Sequence, residues 1–177
     1  MKPVGNFSPT STSTLNPSGP AGPVHTAPAR VDPRGLRFAA ALTTAVLATV
    51  LLTQSSWLLA AQVAVFAVGA FIGLRRSPYA IVFARLVRPR IGAPGHTEDA
   101  RPPQFAQLVG FGFAAVGLVA FVAGAITVAL VAVGLALAAA FLNAAFGLCL
   151  GCELYLSALR LTQRRHVGQA TTAPSVP

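Results

Sequence analysis

The sequence encodes an all-α integral membrane bundle of four transmembrane helices in two hairpins, with a short basic interfacial helix between helices two and three. Three observations carry this expectation. Hydrophobic residues make up 54% of the 177-residue chain and charged residues only 10%, too few to cover a soluble domain with polar surface. The apolar residues fall in two long runs that contain no charge. The basic residues are confined to the segments flanking those runs.

The first run extends from Phe38 to Leu74. As one helix it would measure roughly 55 Å, against a hydrocarbon core of about 30 Å. Two short spans fit, broken at the polar cluster Thr53-Gln54-Ser55-Ser56, with Trp57 following as an interfacial anchor. The second run, Pro102 to Cys152, divides in the same way near Gly124 to Thr127. The expected spans are 36–53, 57–74, 105–124 and 127–150. Gly69 with Gly73, and Gly147 with Gly151, have the small-xxx-small spacing that lets helices approach closely in lipid.

The positive-inside bias orients the bundle. Lys2, Arg30, Arg34 and Arg37 precede the first span. Arg75, Arg76, Arg85, Arg88, Arg90 and Arg101 lie between the second and third. Arg160, Arg164 and Arg165 follow the fourth, which accounts for all 13 basic residues. Both termini and the middle loop are therefore expected in the cytoplasm, for a multi-pass protein of the plasma (inner) membrane. Residues 1–30 are rich in Pro, Ser, Thr and Gly and read as a disordered cytoplasmic tail. Residues 31–166 form the transmembrane domain, and 167–177 a second disordered tail. The N-terminus has no apolar core of the signal-peptide kind, so no cleavage is expected. The net charge of +9 points to the lipid bilayer and its anionic headgroups, not to nucleic acid. A nucleic-acid face would interleave basic and aromatic residues, and these arginines sit at the ends of apolar runs.

The middle loop has its own pattern. Ser77 suits a helix N-cap and Pro78 the first helical position. Ile81, Val82, Leu86 and Val87 then fall near one face, with Arg85 and Arg88 beside them, and Pro89 is expected to stop the helix. The plain reading is a basic helix in the headgroup layer. The alternative is a docking surface for an acidic partner.

Four segments carry a resemblance: Val31-Asp32-Pro33-Arg34, Arg76-Ser77-Pro78-Tyr79, the stretch from Glu98 to Gln107, and the stretch from Phe141 to Tyr155. In these the core from Val31 to about Leu161 resembles a family of bacterial, commonly actinobacterial, integral membrane proteins known as domain of unknown function 4395. The resemblance implies a membrane fold and makes the cysteines a family feature. It implies no particular activity.

The chemical handle is the Cys149-x-x-Cys152 pair, which contains the only cysteines of the chain. This spacing places a thiolate within reach of a resolving thiol for reversible disulfide or sulfur-transfer chemistry. At the cytoplasmic end of helix four the compartment is reducing, which argues against a permanent structural disulfide. Half a zinc site is the second reading, but His25, His96 and His166 lack ligand spacing, so no metal site within one chain is assigned. Packing of two small apolar side chains is the third. Glu153 reads as a base for the thiols or, more plainly, as the polar residue that ends the span.

On an unbroken helix Ala140, Asn143, Ala144, Gly147 and Gly151 form a packing stripe. Asn143 would then bond across helices and the cysteines would point outward. If the helix breaks at Gly147, a new N-terminus near Cys149 lowers that thiol's pKa. The expected role is a thiol-redox or sulfur-handling membrane component with a thioredoxin-like or rhodanese-like cytoplasmic partner. A structural or partner-binding subunit and a small transporter are the rivals. No cofactor is identifiable, and whether the chain is an enzyme stays open at this point.

Overall fold

The structure is a computed structural model that describes residues 29–170, with side chains as far as residue 162. Residues 1–28 and 171–177, most of both expected tails, lie outside the described residues, as do His25 and the side chain of His166. Among the described residues the fold is all-α apart from one clasp of two two-residue strands, β1 (Arg30–Val31) and β2 (Glu98–Asp99).

Helix α1 spans Pro33–Thr53. Asp32 caps it by accepting the Arg34 N–H at 2.9 Å, and Pro33 occupies the first turn, where a missing N–H costs nothing. Within α1 the hydroxyls of Thr44, Thr49 and Thr53 each donate to the carbonyl one turn back, at 2.8, 2.9 and 2.8 Å. That satisfies them without water, as an apolar environment requires. The helix ends in a left-handed Gln54, with φ 51°. Ser55 then caps α2 (Ser56–Ala67) through the Leu58 N–H. The break thus lies in the expected polar cluster, and Trp57 beside it is 87% exposed.

A π-helical turn, Val68–Ile72, prolongs α2 and closes on Gly73, with φ 117°. The second apolar helix is therefore Ser56–Ile72 and not 57–74. It is shorter than the three helices that, among the described residues, are long and apolar enough to cross a membrane: α1, α5 (Arg101–Val122) and α6 (Ile126–Phe146). Gly73 is a turn residue with open space around it. Only Gly69 of that pair packs, its Cα facing the Gln107 side chain.

Between α2 and α5 the chain is helical in pieces: α3 (Pro78–Val82), a π turn at Phe83–Val87, and α4 (Arg88–Ile91). The expected stop at Pro89 does not occur. The π turn precedes it, so Pro89 falls in the first turn of α4, where no N–H is needed. Ser77 makes no side-chain cap and is buried. Ile81, Val82 and Leu86 are exposed. The segment is held to the bundle by Phe83, whose ring lies 5.7 Å from that of Phe38 and against Gly35.

The long helices close a ring. α1 packs on α6, α6 on α5, α5 on α2, and α2 returns to α1. Leu47, Leu59, Ala114 and Val133 are fully buried at its centre. Gly117 permits this close approach, since an added Cβ would lie 2.9 Å from Val133. The outer faces remain apolar and exposed, as at Leu52, Val119 and Val122. Such a surface suits lipid and not water.

The fourth expected span, 127–150, is interrupted. α6 ends at Phe146, Gly147 adopts φ 72°, and α7 begins at Leu150 and continues to Ala170. Glycine enters the left-handed region without a Cβ clash, so Gly147 is a C-terminal stop and not a packing glycine. Helix α7 also runs past residue 167, where the second tail was expected to begin.

Candidate functional site

Cys149 immediately precedes α7 and Cys152 is its third residue. The two are joined as a disulfide, with Cα atoms 5.2 Å apart. Cys149 accepts the Glu153 N–H with its backbone carbonyl at 3.0 Å, closing the first turn of α7. Its sulfur therefore stands at the positive end of a helix. Both cysteines are half-buried.

Two contacts hold this junction. Arg37 of α1 donates to the carbonyls of Ala144 and Ala145 at 3.4 and 3.3 Å, satisfying groups that the end of α6 leaves open. Gly151 lies so close to α5 that an added Cβ would be 2.6 Å from the Ala106 Cα. The Phe105 and Tyr155 rings, 5.7 Å apart, continue the same α5–α7 seam.

The cysteines line a cavity of about 420 Å³ among α1, α2, α5, α6 and α7. Its polar lining includes Arg37, Thr43, Glu98, Gln107 and Asn143. Phe66, Phe113 and Leu135 contribute apolar surface. Ala140, Asn143, Gly147 and Gly151 line it as well. The small-residue stripe and the cysteines thus face one space instead of opposite sides, because the break at Gly147 turns the Cys149–Cys152 segment back toward the bundle. The expected interhelical bond from Asn143 is not made among the described residues.

A different residue bonds across helices. Gln62 of α2 is 1% exposed, accepts the Tyr79 hydroxyl at 2.6 Å and faces the Thr43 hydroxyl at 3.5 Å. Burial pushes the Tyr79 phenol above its ordinary pKa, so it remains a donor. Gln62 was legible as the lone carboxamide of the apolar helix Ser56–Ile72, a residue type that seeks a partner helix. Gln104 makes a second cross-helix bond, donating to the Ala70 carbonyl at 2.8 Å.

Glu153 is exposed and does not line the cavity. Its place is the first turn of α7, where a negative charge favours the helix end. His96 pairs with Glu98 at 3.9 Å, both exposed to solvent. Among the described residues no group of three His, Cys, Asp or Glu side chains is disposed to hold a metal ion.

The segments read as family motifs are far apart in sequence and meet at one end of the bundle. Arg30 pairs with Asp99 and Val31 with Glu98 across the clasp. Arg75 donates to the Arg30 carbonyl at 3.0 Å, and Arg34 to the Ile91 carbonyl at 3.4 Å. Pro33, Glu98, Gln107 and Cys149, from three of these segments or their edges, border the same cavity. No curated protein and no solved structure matches the chain. The profile of the family described as Domain of unknown function (DUF4395) matches residues 31–160, most of the chain, and the chain therefore belongs to that family.

Proposed function

We propose that this chain is a four-span plasma-membrane protein with both termini cytoplasmic, and that Cys149 and Cys152 exchange disulfides with a soluble thioredoxin-like or rhodanese-like partner. The charge distribution supports the orientation, since all 13 basic residues flank the apolar runs on one side of this topology. The second span is then Ser56–Ile72, about 25 Å long, which a slightly thinned bilayer accommodates. The observation that carries the redox reading is the bonded pair at the start of α7, half-exposed beside a cavity.

In the reduced protein the Cys149 thiolate attacks one sulfur of the partner disulfide. A mixed disulfide forms and the partner's other sulfur leaves as a thiolate. Cys152 then loses its proton and attacks Cys149, releasing the partner dithiol. The partner gains two electrons, and the Cys149–Cys152 bond is restored; run in reverse, the same exchange passes two electrons from a reduced partner to the Cys149–Cys152 disulfide.

This order predicts the outcome of a trapping experiment. In vesicles exposing the cytoplasmic face, Cys152→Ser accumulates a mixed disulfide with the partner and Cys149→Ser does not. If neither variant traps a partner, neither reduced thiol reacts with an impermeant maleimide, and the double serine variant functions normally in cells, the thiols are packing groups and the chain is a structural subunit.

A further inference from the structure

The cavity beside the cysteines has an apolar neighbour. Val109, Phe113 and Leu135 also border an apolar groove between α5 and α6, which continues past Gly112 and Val116 to Val128. A chamber with polar groups at the disulfide end thus shares a wall with an apolar channel along the outer surface. We propose that this combined site binds a lipid-tailed quinone, with the ring against Cys149 and Cys152 and the tail in the groove.

The proposal rests on the redox reading and names the two-electron acceptor that keeps the pair oxidised. A reducing compartment drains disulfides, so a pair used as an oxidant needs an acceptor within reach. The chamber of about 420 Å³ has the size of a small-ligand site. Its chemistry favours a quinone over a phospholipid headgroup. The Arg37 guanidinium already serves the end of α6, and the Glu98 carboxylate on the wall repels a phosphate. The carboxamides of Gln107 and Asn143 have no hydrogen-bond partner among the described residues and suit neutral ring carbonyls. The step balances: two S–H bonds break, one S–S bond forms, and two electrons and two protons convert the quinone to its quinol.

The test uses the full-length protein in detergent with its cysteines reduced and excess reductant removed. A fully ring-substituted benzoquinone with a decyl tail is titrated, followed by native mass spectrometry for binding and by absorbance for quinol. The expected result is one quinone per chain, binding at least tenfold tighter than the same ring without a tail, and one quinol formed per disulfide. Gly112→Phe, which fills the groove where the structure leaves open space, weakens the tailed quinone tenfold or more. The Cys149→Ser/Cys152→Ser variant forms no quinol. The proposal is overturned by equal affinity for tailed and tail-less rings, by bound phospholipid that the quinone does not displace, or by quinol formation in the double serine variant. Disulfide exchange with soluble thioredoxin in a protein that ignores quinone would sink this inference alone. Quinone reduction without such exchange would sink the soluble-partner reading alone.

Discussion

Gly151→Ala tests whether the α5–α7 seam holds the cysteine segment in place. The added methyl would lie 2.6 Å from both the Cα and the Cβ of Ala106. Non-bonded carbons settle at about 3.5–4.0 Å, so the helices must separate by about 1 Å. The obstacle is backbone, which cannot rotate aside as a side chain does. Overpacking of this kind costs about 1–3 kcal/mol. Gly151 is the second residue of α7, so little helix propensity is gained in return. Gly112→Ala is the control: it lies within α5, its Cβ meets nothing within 4 Å, and it gains about 1 kcal/mol of helix propensity. The two substitutions should therefore differ by about 2–4 kcal/mol, with Gly151→Ala the less stable. Thermal melts of the reduced proteins in one detergent, followed by circular dichroism, measure the order. Because α7 meets the bundle mainly through α5, Gly151→Ala should also speed maleimide labelling of the reduced cysteines. A Gly151→Ala protein that melts with the Gly112→Ala protein and labels at the wild-type rate would refute this account of the seam.

Tyr79→Phe leaves the buried Gln62 oxygen without its donor and should lower stability by about 1–3 kcal/mol, while adding Gln62→Leu to it, which removes both partners of that bond, should recover part of the loss; chemical denaturation in bicelles ranks the two. Gly147→Ala forces an alanine to φ 72° and should destabilise by about 1–2 kcal/mol, whereas Gln54→Gly at φ 51° should stabilise the first hairpin, both measured by thermal melts. Reporter fusions at residues 55 and 125 should read outside, and those at 90 and 170 inside; one reversed position overturns the four-span topology.

Periodicity and charge made the bundle legible, since an uncharged run of known length admits few foldings in a bilayer. The turn at Gln54 and the turn at Gly124 were visible because polar or glycine residues interrupt apolar stretches. Helix continuity was less visible. Nothing within Phe141–Tyr155 distinguishes a packing glycine from a stopping one, because Gly147 and Gly151 have the same spacing in either case. The decision lies in their neighbours. Gly151 is pressed against Ala106, and Gly147 sits in open space with Arg37 satisfying the carbonyls behind it. The same limit applies to Pro89, whose effect depends on the π turn before it.

The amino-acid sequence by itself determined that the chain is all-α, with apolar helices that fit a bilayer, and that its two cysteines lie three residues apart. These follow from hydrophobicity and from covalent spacing, which are local properties. Only the tertiary structure decided what that pair faces. The cavity is made by residues more than a hundred positions apart, such as Arg37 and Asn143. The break that turns Cys149 and Cys152 toward it exists because α1 satisfies the end of α6 while α5 holds the start of α7. Both contacts are long-range, and a reading along the chain has no access to the partner helix.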